Sequence, residues 1–413
     1  MNRGFYTILA AQFFSALADN ALLFAAIALL AQLDAPPWQT PVLQQFFVFA
    51  YIVLAPFVGP FADALPKGRV MFVSNAVKMG GCATMLLGLH PLLAYGVVGI
   101  GAAMYSPAKY GILTEYLPPA KLVLANGWME GLTVAAIILG AILGGILISP
   151  ATADRLFGMA DLHISALGLN SAPDLAVLLI FLLYMTAAIF NLYIPKVAID
   201  HKLPKKTLFF ILHDFWHCFR LLWKDPLGQV SLAVTTLFWG AGATLRLIIL
   251  TWAALALKFD LERATQLTAV VAVGIAAGSA LAAKLVSLER SVKVLPVGIA
   301  MGLVVISMVF VTDWRIAMGL LVLIGGMGGF FVVPMNALLQ HRGHLLMGAG
   351  HSIAVQNFNE NISILLLLGV YALMIRADLG VNVVIVLFGL FVATVMAYLY
   401  KKHGHDQDRA PNQ

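Results

Sequence analysis

The sequence predicts an all-α integral membrane protein whose twelve transmembrane helices form two pseudo-symmetric six-helix bundles. The chain is 61% hydrophobic and only 11% charged, whereas soluble domains carry about 25% charged residues. Its mean hydropathy is +0.93. It contains twelve apolar runs of the length that a bilayer requires, about 20 residues per helix. One long polar connection divides these runs into six and six.

The twelve apolar runs follow one another with short breaks at prolines, glycines and charged residues. We place them at residues 5–33, 42–62, 69–89, 92–117, 123–149, 175–195, 227–257, 265–288, 292–311, 316–340, 347–376 and 379–400. The first run is longer than the apolar core of a signal peptide, which has roughly 7–15 residues. We therefore expect it to be retained as the first span.

The basic residues predict the orientation in the membrane. Cytoplasmic loops of membrane proteins carry an excess of lysine and arginine. Most of the 25 basic residues fall in loops and tails on the same side as the N-terminus. Both termini are therefore expected in the cytoplasm. The two cysteines and ten histidines show no metal-ligand spacing, so we expect no metal and no cofactor.

The domain organisation follows from the long central connection. We predict an N-terminal bundle over 1–195, a cytoplasmic linker over 196–226, a C-terminal bundle over 227–402 and a polar tail over 403–413. Within the linker, apolar residues recur near helical spacing and the cations lie mostly off that face. This pattern predicts an amphipathic helix on the cytoplasmic leaflet.

The two halves also contain a weak internal repeat. Residues 101–107 resemble residues 325–334, and each segment ends in a proline. A polar residue follows two places later in both halves, Lys109 in the first and Asn336 in the second. Together with the division into six and six, this repeat supports two related bundles around a site near the membrane midplane.

The ionisable residues inside the apolar runs include Asp19, Lys109, Glu130, Arg246 and Glu360. An ionised side chain near the centre of a bilayer is costly unless it faces a partner or a watery cavity. Such groups in five different spans predict a shared polar cavity. They therefore favour the transport of a charged substrate.

The loop after the second run carries Gly59, Asp63, Lys67, Gly68 and Arg69 in the spacing Gly-x-x-x-Asp-x-x-x-x-Gly-Arg, with the lysine just before the glycine. This spacing resembles a motif of the major facilitator superfamily. The acid and the basic residues are expected to form a cytoplasmic charge cluster in one conformation and to separate in another. We therefore predict conformational gating by Asp63, Lys67 and Arg69. The corresponding position of the second half, 278–282, has no acid.

Longer characteristic strings lie at 11–24, 105–115, 125–130, 237–246, 328–340 and 355–361. They resemble the bacterial lysophospholipid transporters of that superfamily, and the resemblance covers roughly residues 5–400. The resemblance implies the major facilitator superfamily fold and a flippase. Such a protein moves lysophospholipids such as lysophosphatidylethanolamine and lysophosphatidylglycerol from the outer to the cytoplasmic leaflet of the bacterial inner membrane, by alternating access.

The resemblance also implies partners. Lysophospholipids are reacylated at the cytoplasmic leaflet by an acyltransferase/acyl-carrier-protein synthetase. Only a short polar tail follows the last run, so this enzyme is expected to be a separate protein. We expect the chain itself to be a monomer among membrane lipids, to have no enzymatic activity and to bind no nucleic acid.

The residue types inside the spans fit a lysophospholipid. Lys109 and Arg246 supply cations for the phosphate, the arginine with two parallel donors and the lysine as a point charge. Asp19 and Glu130 are expected to bind an ethanolamine ammonium or to hold the cations apart between cycles. The full predicted substrate-binding set is Asp19, Asn20, Lys109, Asn126, Glu130, Arg246, Gln356, Asn357 and Glu360.

Each of these residues also has a structural interpretation. Asp19 could pair with Arg246 as a purely structural ion pair. Lys109 could extend toward the cytoplasmic surface, and the polar helix face that begins with Asn126 could join two helices. Lys78, which has no acidic neighbour in the sequence, is interpreted as a structural pair or as another residue that reaches the surface.

Two other functions remain open from the sequence. One is a proton-coupled exporter of drugs or amphiphiles with the same fold, in which Asp19 carries the proton. The other is a membrane-bound acyltransferase that uses a histidine and an acid. Drug sensitivity of a deletion strain would favour the exporter, and turnover by the purified protein alone would favour the enzyme.

Overall fold

The computed structural model describes residues 2–36, 38–149, 171–197 and 207–404. Within these ranges the chain is helical and contains no strand. The helices are α1 (Arg3–Gln32), α2 (Gln39–Asp63), α3 (Lys67–Leu86), α4 (Pro91–Tyr116), α5 (Leu122–Leu147), α6 (Ala172–Leu192), α7 (Leu208–Lys224), α8 (Pro226–Ala256), α9 (Leu261–Leu285), α10 (Leu295–Ile306), α11 (Trp314–Met347), α12 (Ala349–Arg376) and α13 (Val381–His403). Short 3₁₀ turns cover Pro119–Lys121, Leu288–Val294 and Ser307–Phe310. The all-α membrane fold class is confirmed.

Every predicted span corresponds to a helical segment, but one of them is unusually polar. In the described part of the chain, 11 segments are long and apolar enough to cross a membrane. The exception is α3, at the predicted span 69–89, which has 20 residues. It carries Lys67, Arg69 and Lys78. Lys67 and Lys78 are buried against protein, so this helix does not need the apolar surface of a lipid-facing span.

The chain divides into two compact units, and α5, α7 and α12 contribute to both. Unit 1 consists of Met1–Glu115, Ala135–Phe215 and Ala349–Ala354. Unit 2 consists of Tyr116–Val134, Trp216–Gly348 and Val355–Gln413.

In unit 1, α6 packs against both α1 and α3. The second half of α5 approaches α1 through two glycines. A Cβ atom on Gly140 would lie 2.9 Å from the carbonyl oxygen of Leu17, and one on Gly144 would lie 2.9 Å from that of Ala21. Two small residues four places apart allow such close contact between helix backbones. These two glycines therefore act in helix packing.

In unit 2, α9 and α11 pack against each other along much of their length. Glycines permit this approach. A Cβ atom on Gly278 would overlap the backbone of Gly326, and Cβ atoms on Gly325 and Gly329 would overlap the backbone of α9. Helix α10 packs against α13, and α8 contacts α9, α11 and α13. This fixed framework positions the polar side chains of α5, α11 and α12.

The helix predicted within the linker is present as α7. Its Phe209 and Trp216 side chains are exposed, whereas Phe215 and Leu222 are buried. Residues 198–206 of the linker lie outside the described residues, as do 150–170 and the tail 405–413.

Candidate functional site

A buried ion pair lies in the interior of unit 1. The Nζ atom of Lys78 on α3 lies 2.8 Å from both carboxylate oxygens of Asp19 on α1. It also donates to Ser15 Oγ at 3.1 Å. The Tyr184 hydroxyl on α6 donates to Asp19 Oδ1 at 2.7 Å. The side chain of Lys78 is 1% exposed and that of Asp19 is 23% exposed.

Aromatic rings complete the surroundings of the lysine. Its Nζ atom lies 4.9 Å from the ring centroid of Tyr105 and 5.5 Å from that of Tyr184. Ring faces attract a cation, and more strongly when it is desolvated. The lysine therefore has its carboxylate, a hydroxyl acceptor and two aromatic rings, which together stabilise a buried pair without net charge.

These contacts correct two interpretations of the sequence. Within unit 1 the partner of Asp19 is Lys78, which contacts both carboxylate oxygens, whereas the sequence suggested Arg246, a residue of unit 2. Lys78 does not extend toward a membrane surface, so of its two interpretations the structural pair is confirmed. Sequence reasoning gave Lys78 and Tyr184 no place in the site. The signal in the sequence that could have indicated a polar site at Lys78 was the polar pair Ser74 and Asn75, one helix turn before the lysine.

Two other predicted residues of unit 1 interact within their own helices. The amide of Asn20 donates to the Ala16 carbonyl oxygen at 2.8 Å. On α4, Lys109 is half-buried, and its Nζ atom lies 4.6 Å from the ring centroid of Tyr110.

In unit 2, amides link two buried glutamates. Asn336 on α11 donates to Glu130 Oε1 on α5 at 3.4 Å. Gln356 on α12 donates through Nε2 to Asn336 Oδ1 at 3.0 Å and to Glu360 Oε1 at 2.7 Å. Glu130 is 4% exposed and Glu360 is 8% exposed. The structure thus brings together three predicted site residues through Asn336, which the sequence indicated only as part of the internal repeat.

Asn126 and Gln340 form a second amide contact, one helix turn away from the contact between Glu130 and Asn336. The two side chains exchange hydrogen bonds of 2.9 Å and 2.8 Å, and Asn126 is fully buried. In this structure Asn126 therefore takes part in a helix-to-helix contact, and its place in the lining of a cavity stays a prediction. Asn357 is also buried, and its carbonyl oxygen accepts from Asn361 Nδ2 at 2.8 Å.

Arg246 lies on α8 of unit 2 and is exposed, unlike the other predicted substrate-binding residues. It belongs to none of the ion pairs found among the described residues. Its neighbour one turn earlier, Gly242, is also exposed. Arg246 therefore presents its guanidinium group at an accessible surface of its unit.

The predicted charge cluster forms around Asp63, at the end of α2. Lys67 Nζ lies 2.9 Å from Asp63 Oδ1 and 2.9 Å from Glu115 Oε1. Asp63 also accepts from the backbone nitrogens of Gly350 at 2.6 Å and His351 at 3.0 Å. These amides begin α12, where N–H groups have no partner within the helix and favour an anion.

The histidine adds a contact to the linker helix. His351 Nδ1 lies 2.6 Å from Asp63 Oδ2, and its Nε2 lies 3.4 Å from Asp214 Oδ2 on α7. Arg69 is exposed and belongs to none of the ion pairs among the described residues. The inclusion of Arg69 in the charge cluster is therefore wrong for this structure.

Comparisons with known proteins agree with this architecture. The sequence matches the Major Facilitator Superfamily over residues 8–367. Among solved structures, it is similar to a bacterial homologue of the iron transporter ferroportin in an outward-facing state, with a TM-score of 0.71 and 14% identity over 97% of this chain and 100% of that one. It is also similar to the E. coli fucose:proton symporter FucP, with a TM-score of 0.73 and 13% identity over 96% and 97% of the two chains. At these identities the likeness shows the fold alone.

Two curated relatives are much more similar in sequence. The lysophospholipid transporter LplT of Klebsiella pneumoniae subsp. pneumoniae is 44% identical over 402 residues, which cover 97% of this chain and 96% of that protein. The lysophospholipid transporter LplT of Yersinia pestis is 45% identical over 388 residues, covering 94% and 90%. The chain therefore belongs to the major facilitator superfamily and, within it, to the family of these bacterial relatives.

Proposed function

We propose that this chain transports lysophospholipids across the bacterial inner membrane. The observation that carries the proposal is the similarity to two lysophospholipid transporters at 44% and 45% identity over 97% and 94% of the chain. The function that both of these relatives are named for is transport. We therefore assign no enzymatic reaction to the protein.

Arg246 is the residue that best fits the substrate phosphate. Lys78 is enclosed at 1% exposure and uses its donors on Asp19 and Ser15, and Lys109 lies over a tyrosine ring. Arg246 is exposed, and its planar group offers parallel donors that match phosphate oxygens. A phosphate is the charged group that lysophospholipids have in common.

The remaining predicted residues are proposed to line a polar path for the head group. Asp19 keeps 23% of its side chain exposed despite its ion pair, so it can also accept a hydrogen bond from an ethanolamine ammonium. Glu130, Gln356 and Glu360 form a continuous polar chain inside unit 2. Asn20, Lys109, Asn126 and Asn357 are proposed to border the same path in other conformations. That all these groups share one central cavity stays a prediction.

Asp63 and Lys67 are proposed to act in gating. Asp63 holds the first amides of α12, a helix of the second half of the chain, to the end of α2, a helix of the first half. These contacts involve a side chain and two backbone groups, so they can break without unfolding either helix. We propose that they form in one state of alternating access and separate in the other, as bundles 1–195 and 227–402 rearrange about the linker 196–226.

The proposed direction is from the outer to the cytoplasmic leaflet, with both termini in the cytoplasm and the chain acting as a monomer. Lysophosphatidylethanolamine and lysophosphatidylglycerol are the proposed substrates. A separate acyltransferase/acyl-carrier-protein synthetase would reacylate them at the inner face and so keep the reaction moving forward.

The test uses spheroplasts of a strain that lacks its own lysophospholipid transporter. Labelled lysophosphatidylethanolamine is added outside, and its appearance as reacylated diacyl lipid is measured. We expect uptake with the wild-type chain, none with Arg246→Ala and partial uptake with Arg246→Lys. Arg290→Ala, at an exposed arginine of a 3₁₀ turn, is the control. Absence of wild-type uptake together with resistance to amphiphilic cations would favour the exporter instead.

A further inference from the structure

We propose that the exposed face of α7 binds anionic phospholipids of the adjacent leaflet, and that this binding acts on the charge cluster around Asp63. The leaflet is the cytoplasmic one under the proposed orientation. The action on the cluster rests on the proposed function and its gating, whereas the lipid-binding surface does not.

One face of α7 packs against protein. Phe215, Cys218 and Leu222 recur at intervals of three and four residues, and all three are buried. At the edge of this face, the ring centroids of Phe219 and of Phe358 on α12 lie 6.2 Å apart with the rings nearly perpendicular. The apolar residues of this helix are therefore only partly available to lipid.

The other apolar side chains form a separate, exposed stripe. Phe209, Leu212 and Trp216 are 80%, 38% and 47% exposed. Their spacing of three and four residues places them on one side of the helix. Phenylalanine, leucine and tryptophan on the apolar side of an interfacial helix enter the boundary between head groups and acyl chains.

A basic stripe runs beside the apolar one. Its members are exposed, recur at intervals of four, three and four residues, and are His213, His217, Arg220 and Lys224. At 3.6 residues per turn, Arg220 follows Trp216 by about 40° around the helix axis. The two stripes are thus neighbours along the length of α7, with the apolar one between the protein and the cations.

Nearby acids do not neutralise the basic stripe. Asp225 accepts two hydrogen bonds from Arg342, at 3.1 Å and 2.6 Å, and Asp214 Oδ2 lies 3.4 Å from His351 Nε2. The arginine and the lysine of the stripe belong to none of the ion pairs among the described residues. The stripe therefore keeps its positive charge for a partner outside the chain.

The end of α7 is fixed at the level of the lipid head groups. Only Asp225 separates it from Pro226, the first residue of α8, and Trp223 Nε1 donates to Asn359 Oδ1 of α12 at 3.3 Å. Helix α8 has 31 residues, so it is about 46 Å long at 1.5 Å per residue. A bilayer with its head groups is about 40–45 Å thick. The start of α8, and with it the end of α7, therefore lies at a bilayer surface.

Charge and polarity together select an anionic phospholipid as the occupant. The apolar stripe matches the acyl chains just below the head groups, and the basic stripe matches phosphate groups above them. Phosphatidylglycerol carries a net negative charge, whereas the ammonium of phosphatidylethanolamine cancels the charge of its phosphate. An acidic protein surface would pair with the cations but would leave Phe209 without an apolar partner.

A different side of α7 contacts the charge cluster. Asp214 and Trp216 are two positions apart, which turns their side chains by about 200° relative to each other. Asp214 contacts His351, whose Nδ1 atom lies 2.6 Å from Asp63 Oδ2. Lipid that holds the exposed face of α7 therefore also holds Asp214 against the first turn of α12.

Binding is measured by titrating the full-length protein in detergent micelles with fluorescent phosphatidylglycerol. We expect Arg220→Gln/Lys224→Gln to bind about thirtyfold more weakly than the wild type, because each lysine or arginine near an anionic surface contributes about fivefold. Arg290→Gln/Lys293→Gln removes the same charge from exposed positions of a 3₁₀ turn and should bind like the wild type. Equal binding by the two double variants overturns the surface, as does displacement of the lipid by an equal concentration of phosphatidylethanolamine or inorganic phosphate.

The apolar stripe is tested with a nitroxide label on Phe209→Cys in nanodiscs that contain phosphatidylglycerol. The two native cysteines are buried, so the label reacts at the new position. We expect the label to collide more often with oxygen, which dissolves in lipid, than with a water-soluble nickel chelate. The reverse order means that the stripe faces water or another protein, and it overturns the lipid surface.

The action on the cluster is tested by uptake of labelled lysophosphatidylethanolamine into proteoliposomes with and without phosphatidylglycerol. Wild-type uptake should fall without phosphatidylglycerol, and Asp214→Asn should lose this dependence while still binding the lipid in the titration. Wild-type uptake that ignores phosphatidylglycerol, or dependence retained in Asp214→Asn, overturns the action on the cluster. If the wild type moves no lysophospholipid in either vesicle, the proposed function is refuted, and the titration and the nitroxide label still decide on the lipid surface.

Discussion

The ion pair between Asp19 and Lys78 makes a quantitative prediction for a double-mutant cycle. Removing one member of a buried pair costs about 3–5 kcal/mol, because the other charge is left without its partner. Lys78→Met leaves Asp19, whose side chain is 23% exposed. Water and the Tyr184 hydroxyl still solvate this carboxylate, so we expect the lower end, about 3 kcal/mol.

The reciprocal change is expected to be more damaging. Asp19→Asn leaves the Lys78 ammonium at 1% exposure, with Ser15 Oγ as its remaining close acceptor. We expect the upper end, about 5 kcal/mol. The double variant Asp19→Asn/Lys78→Met contains no stranded charge, and neutral replacement of a whole buried pair is often nearly without cost. It should therefore be more stable than either single variant.

The assay is reversible unfolding of the purified protein in mixed micelles, titrated with a denaturing detergent and followed by circular dichroism. Coupling is the difference between the effect of the double variant and the sum of the two single effects. A parallel cycle with Asp19→Asn and Arg246→Met serves as the control and should be additive within about 0.5 kcal/mol. Additive effects in the Lys78 cycle, or strong coupling in the Arg246 cycle, would refute the assignment of the pair.

The remaining predictions concern helix contacts and the phosphate. Gly278→Ala places a Cβ against the backbone of α11 and should cost about 1–3 kcal/mol of unfolding free energy, whereas Gly319→Ala, which meets open space, should not destabilise. Gly350→Ala places a Cβ 2.6 Å from Asp63 Oδ1, so the loss of a charge-assisted hydrogen bond should cost about 1.5–3 kcal/mol in the same titration. Uptake by Arg246→Ala at the wild-type rate would remove the phosphate role.

Contacts within one helix or across one turn could be predicted from the sequence. Gln356 and Glu360 are four residues apart, and this spacing places side chains on the same helix face. Asp63 and Lys67 also meet, although Pro66 separates their two helices. Arg69 does not join them, because two residues after Lys67 the helix has turned by about 200°. The motif alone gives no information on where α3 begins.

Helix contacts through small residues could also be predicted, since glycines four places apart permit close approach whatever the partner helix is. The partner itself could not be predicted. Gly140 lies against α1 and Gly329 against α9, but the spacing is the same in either case. Likewise, Asn126 and Gln340 are separated by 214 positions. Many amides in other spans could form the same hydrogen bonds with Asn126, so the sequence does not identify its partner.

The burial cost of a charge shows that a partner exists without showing which one. Asp19 requires a cation, and the spans offer Lys78, Lys109 and Arg246. The choice of Lys78 depends on the packing of α1 and α3 against α6, which brings residues 59 positions apart to 2.8 Å. Because this pair is neutral as a whole, it offers a phosphate no net attraction, and the lysine ammonium cannot leave it without stranding the acid. The positive charge for an anionic lipid has to come from a cation outside the pair, and Arg246 is exposed in its unit. Under the proposed function, we therefore propose that Asp19 and Lys78 discriminate between head groups by hydrogen bonding and do not provide affinity for the phosphate.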